Sequence, residues 1–260
     1  MTEPLERTRQ EFTRQAAQFA ASAAINEARQ TECFLDLIGA AGAGAILDVA
    51  CGPGIVTAAL APRAREITAF DLTPGMLEKA RQRCTAAGLR NVAFREGSVT
   101  DVPFADASFD GVVTRLSIHH FAAPRRAMAE MVRILKPGGM LVLADVVSSQ
   151  VPEDSRLHNA IEVLRDPSHV RMLPVTELEA LIQGAGLEIT GRDGWEQRRE
   201  FEEWADIVAD PERVAPIRTI VRALATAGQQ AGIGLALQGN AIVFRHRWHV
   251  IAARKTGEQA

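Results

Sequence analysis

The stretch ILDVACGPGIVTAAL, Ile46 to Leu60, limits the fold more than any other part of the chain. An apolar run closes on Asp48, bends through Gly52-Pro53-Gly54 and resumes as an alanine-rich segment. That order reads as a first strand, a tight turn and a first helix, the opening unit of an α/β sheet. The two glycines let the main chain come close to a ligand, because neither carries a Cβ. With 260 residues, 47% of them hydrophobic and 23% charged, the chain is of ordinary globular composition. Its length suits one large α/β domain with insertions, or two small ones.

Five segments read as buried strands: 45–50, 66–71, 91–97, 109–117 and 139–147, each short, apolar and bounded by Gly, Pro or charge. Helical patterns lie between them. One starts with Thr73 as N-cap and Pro74 at the first helical position, and ends at Gly88. Another places Met128, Met131, Val132 and Leu135 on one face and stops at Pro137-Gly138. Alternation of this kind implies a parallel sheet with helices on both faces, which explains nearly continuous apolar strands. Residues 1–39 read as a helical segment that either covers the ligand end of the sheet as a lid or caps a sheet edge. Residues 40–150 read as the ligand-binding core. The remainder, 151–260, supplies the rest of the sheet, with 148–178 and 200–235 inserted over the carboxyl ends of the strands. The whole is expected to be a single domain. The final strand, AIVFRHRWHVIAARK, carries Arg245, His246, Arg247 and His249, which read as a solvated face.

Several function classes fall away. A phosphate-cradling P-loop needs Gly-Lys-Ser/Thr, and here Ile55 and Val56 follow Gly54. A dinucleotide fingerprint needs a third small residue where Thr57 stands. Cys33, Cys51 and Cys84 form neither a disulfide framework nor a zinc pattern, and no metal site is expected. The net charge of −3 is scattered, with no basic groove for nucleic acid. The first residues lack the apolar core of a signal peptide, and no run is long enough to span a bilayer. A soluble cytoplasmic protein, monomer or homodimer, is the expectation.

Asp48-Val-Ala50-Cys51-Gly52-Pro-Gly54 resembles the D/E-x-G/A-x-G-x-G loop of class I S-adenosylmethionine-dependent methyltransferases. Asp71 closes the second strand in FDLTPGML, EGSVTDVPFADASFDGVV resembles the third and fourth motifs, and SIHHF with EMVRILKPGGMLVLADV resembles the fifth-strand region of the small-molecule branch related to ubiquinone/menaquinone C-methyltransferases. The resemblance is close over about residues 40–150 and loose elsewhere. It implies a Rossmann-like, seven-stranded, mostly parallel sheet with an antiparallel last strand and helical lid insertions. It also implies S-adenosylmethionine as cofactor and methyl transfer to O, N or C of a small metabolite.

By the same resemblance, Asp71 accepts both ribose hydroxyls and Leu72 and Met76 flank the nucleoside. Asp48 either touches the ligand or braces the loop. Ser98 stands where the family has an adenine-contacting Asp, which shifts that contact toward the Val99 amide. Arg115 either faces the methionine end of the cofactor or forms a strand-end salt bridge. The candidates for proton handling are His119, His169 and Asp145, with His119 as the member of the His119-His120 pair that reaches the cavity and His120 packed structurally. The absence of tyrosine argues against an aromatic cage for a quaternary ammonium group. A nicotinamide oxidoreductase and a protein that uses the sulfonium without transferring its methyl are the alternatives.

Overall fold

The structure, a computed structural model, describes residues 3–257. In chain order the elements are α1 (Glu3–Ala21), α2 (Arg29–Leu37), β1 (Ala45–Val49), α3 (Ile55–Leu60), β2 (Glu66–Asp71), α4 (Pro74–Ala86), β3 (Val92–Glu96), β4 (Phe109–Arg115), α5 (Pro124–Ile134), β5 (Leu135–Val147), α6 (Pro152–Arg165), α7 (Val175–Gln183), β6 (Leu187–Glu200), α8 (Phe201–Asp206), α9 (Pro211–Thr226), β7 (Ala236–Gln238) and β8 (Ala241–Lys255). One sheet runs in the order β3-β2-β1-β4-β5-β8-β6, with the short β7 paired to β8. Strands β1 to β5 are parallel, while β8 runs antiparallel to both β5 and β6.

The strands divide their side chains between two cores by the period of two that the pleat imposes. On one side Leu47, Val49, Leu141, Leu143, Ile251 and Ala253 meet Met128, Met131 and Ile134 of α5 and Leu178 and Ile182 of α7. On the other, Ile46, Val142, Ala144, Val250 and Ala252 meet Phe34 of α2 and Val56 and Leu60 of α3. A third core joins Ile161 of α6, Phe201 and Trp204 of α8, Ile217 and Val221 of α9 and Phe244 of β8. It makes the post-150 insertions a packed cap.

Local expectations give way in four places. Helix α5 ends at Ile134 and the strand starts at Leu135, so Pro137-Gly138 bends a strand edge instead of stopping a helix. Thr73 stands at the N-cap of α4, but its side chain makes no cap bond; its N–H donates to Asp71 Oδ1 at 2.8 Å. The three-residue β7 adds an eighth strand. His246 is buried, 4% exposed, because it shares the inward parity of Phe244 and Trp248 on β8, whereas Arg245 faces outward. Among the described residues, no helix is long and apolar enough to cross a membrane.

Candidate active site

The order of strands reverses between β1 and β4, and an open parallel sheet splits at its carboxyl edge at such a point. The loop after β1 crosses this crevice in unusual backbone: Ala50, Gly52 and Gly54 have φ of 53°, 53° and 74°. A Cβ on Gly52 would meet no protein atom within 4 Å, so this residue turns its bare main chain to open space. Its N–H donates to Asp71 Oδ2 at 2.9 Å, while Asp71 Oδ1 takes the Thr73 amide. Asp71 is thereby fixed at the rim of the crevice, and burial pushes its carboxyl above the ordinary value against the pull of these amides.

A cavity of about 260 Å³ opens on this cradle. Asp48, Ala50, Cys51, Gly52, Asp71, Leu72, Met76, Ser98, Val99 and Arg115 all line it, as do Leu5, Phe12 and Phe19 of α1. Gly54 does not. Its missing Cβ would stand 2.8 Å from Ala80 Cβ, so Gly54 lets α3 start close against α4. Asp48 braces the loop: Oδ2 accepts the Thr57 hydroxyl at 2.5 Å, and burial pushes its carboxyl up to about 7. The Ser98 hydroxyl is already engaged with Thr100 Oγ1 at 2.9 Å.

Arg115 lines the cavity, and among the described residues it forms no strand-end salt bridge. It donates to Ile25 O at 2.8 Å and to Gln30 Oε1, tying the α1–α2 connection to the end of β4. Burial lowers its pKa to about 10.

Behind the cavity lies a polar chamber of about 60 Å³, with Phe12, Phe19, Leu116 and His120 shared by both walls. The placement of the histidine pair is the reverse of the expectation. His120 reaches the larger cavity, whereas His119 is 4% exposed and faces only the chamber. The cause is Asp145 on β5. Its Oδ1 lies 2.5 Å from His119 Nδ1 and pulls that ring inward. Asp145 itself lines neither space. His120 Nδ1 meets Ser168 Oγ at 3.1 Å, and burial, with His119 beside it, pushes His120 down to about 4. His169 completes the group, with ring centroids 4.6 Å from His119 and 4.5 Å from His120. Burial and these two neighbours hold it well below its ordinary value.

Sequence reading missed the opposite wall of the chamber: Glu162, Arg165, Asp166, Arg199 and His246. Glu162 Oε1 accepts His246 Nε2 at 3.1 Å and Oε2 accepts from Arg165 at 3.1 Å. Burial opposes its charge, but Arg165 and the surrounding histidines outweigh that and hold the carboxyl well below the usual range. Gln15 of α1 donates to Asp166 Oδ2 at 3.0 Å, which docks α1 on the cap. The available signal was the His158–Glu162 spacing, which puts both on one helix face.

A model of the methyltransferase domain matches residues 47–143, the segment from β1 to β5 that builds the cradle. The chain is 32% identical over 159 residues to the uncharacterized methyltransferase YcgJ of Bacillus subtilis strain 168, covering 61% of this chain and 63% of that protein. It is 37% identical over 128 residues to a demethylmenaquinone methyltransferase of Clavibacter sepedonicus, covering 49% of this chain and 51% of the relative. The chain thus spans between half and two-thirds of the length of these curated relatives. The crystal structure of YcgJ superposes with a TM-score of 0.81 at 27% identity, over 88% of this chain and 99% of the other. Sheet order, loop geometry and these likenesses agree: residues 47–143 of the chain form a methyltransferase domain.

Proposed function

We propose that this enzyme is an S-adenosylmethionine-dependent methyltransferase that methylates a small metabolite at O, N or C. The observation that carries the reading is the Gly52–Asp71 cradle opening on a cavity without a phosphate-binding loop. Gly52 offers close approach for a nucleoside, and each Asp71 oxygen keeps accepting capacity beyond its amide, which suits two ribose hydroxyls. Leu72 and Met76 supply apolar contact there, and Val99, which lines the same cavity, offers its main-chain amide to the adenine edge in this reading. The bound cofactor supplies an electrophilic methyl on a sulfonium.

Positioning and exclusion of water then dominate the work of the protein. Phe12 and Phe19 of α1 close the space between cavity and chamber, consistent with a lid role for the N-terminal segment. The chamber behind His120 suits the acceptor, with imidazole and charged side chains set among aromatic and aliphatic ones. Where the acceptor must lose a proton, His119 is the group to take it: the Asp145 contact keeps hydrogen on Nδ1 and leaves Nε2 as acceptor. Asp145 acts through His119 and is a positioning residue.

Calorimetry with S-adenosylmethionine and S-adenosylhomocysteine tests the cofactor. Micromolar binding, about −8 kcal/mol, is expected. Asp71→Ala should weaken it at least tenfold, since a charge-assisted bond contributes about 1.5–3 kcal/mol. Wild-type affinity in that variant would remove Asp71 from its role. A labelled-methyl screen of metabolites then addresses the acceptor; label that stays on the cofactor through turnover would refute transfer.

A further inference from the structure

We propose that His119, His120 and His169 form a site for a divalent transition-metal ion of the zinc kind, with an open coordination position on the acceptor chamber. One imidazole nitrogen from each lies within 4.8 Å of one from each of the others, and all three side chains are enclosed. The ring centroids form a nearly equilateral triangle with sides of 4.3, 4.6 and 4.5 Å. Zinc–nitrogen bonds of about 2.1 Å require ligand nitrogens about 3.4 Å apart, so the three rings must turn their nitrogens toward a common point to complete the site.

The surrounding groups orient the donors. Asp145 engages His119 Nδ1 and Ser168 engages His120 Nδ1, which leaves Nε2 of each ring free to ligate. A carboxylate behind a ligating imidazole fixes its tautomer and raises its donor strength. His169 Nδ1 is buried with no hydrogen-bond partner, 3.8 Å from Glu162 Oε2. Three neutral imidazoles packed together are an unusual use of enclosed space unless they share a cation, because burial of unpartnered nitrogen is unfavourable. The neighbouring group of His158, Glu162 and His246 is a poorer candidate. Arg165 already neutralises Glu162, and both His246 nitrogens are taken, by Glu162 and Arg199.

Three imidazoles with one open position make a Lewis-acidic site. The acceptor class it would take is a hydroxyl or thiol compound. With the ion bound, His119 Nε2 is a ligand and no longer the base: the O–H or S–H bond breaks on ligation, its proton leaves to solvent, and its electron pair stays on the ligating atom as nucleophile. This substrate class rests on the methyl-transfer reading above; metal uptake itself does not.

The test uses full-length, tag-free, chelator-treated protein titrated with Zn²⁺ and Co²⁺. Stoichiometric uptake is expected, with the visible absorption of low-coordinate Co²⁺ and X-ray absorption showing three imidazoles at about 2.1 Å. Both readouts use the wild type and stand even if a variant fails to fold. His119→Gln and His169→Gln should each lower affinity at least about a hundredfold, and Asp145→Asn about ten- to a hundredfold. No stoichiometric uptake, fewer than three imidazoles, or full retention in both histidine variants overturns the site. So does loss in His246→Gln alone, which would move the ion to the neighbouring group. Cofactor binding without metal uptake sinks this proposal and spares the methyl-transfer reading; metal uptake without cofactor binding does the reverse.

Discussion

Gly52 and Gly54 look alike in the sequence, but replacing them should give opposite phenotypes. Alanine at Gly54 would have φ of 74° and a Cβ 2.8 Å from Ala80, so both strain and overpacking act on the α3–α4 contact. Gly54→Ala should cost about 2–3 kcal/mol of stability in urea unfolding. Gly52→Ala meets no protein atom. It should lose only about 1 kcal/mol to its left-handed backbone, yet bind the cofactor at least tenfold more weakly in calorimetry. Asp48 makes a similar point. Thr57→Val removes the hydroxyl that its buried carboxyl accepts, and an unsatisfied group of that kind costs about 1–3 kcal/mol. The same unfolding measurement checks it.

Elements were more legible than side-chain directions. Strands β1, β2, β4 and β5 showed in the sequence because burial on both faces makes them continuous apolar runs, and α4 showed through Pro74 and Gly88. Strand β7 did not, since three half-exposed residues carry no period. Which of His119 and His120 turns inward depends on Asp145, a residue on another element. Local spacing cannot report that, nor that His246 would meet Glu162 of α6. At this scale Arg115 predicts dynamics. It joins β4 to Ile25 and Gln30, so Arg115→Met should raise amide hydrogen exchange across the α1–α2 connection while the β1–β5 amides stay protected.

Across the whole molecule, charge is held in a pH-dependent balance. Burial lowers His246 to about 4, so in the folded state it stays neutral while the unfolded chain takes up a proton near the ordinary value of 6.5. Its contribution is therefore complete above that value and is lost as the pH falls from 6.5 toward 4. About 3 kcal/mol should go in that window, read as a falling urea midpoint. His246→Gln should lower stability at neutral pH but flatten this slope.

The chain has no tyrosine and three tryptophans. Trp204 and Trp248 line the histidine chamber, and Trp195 lies stacked on Trp248 with ring centroids 5.3 Å apart. Ultraviolet emission of the protein therefore originates at or beside the space assigned to the acceptor. Occupants of that space should announce themselves by quenching or a colour shift, without any attached dye.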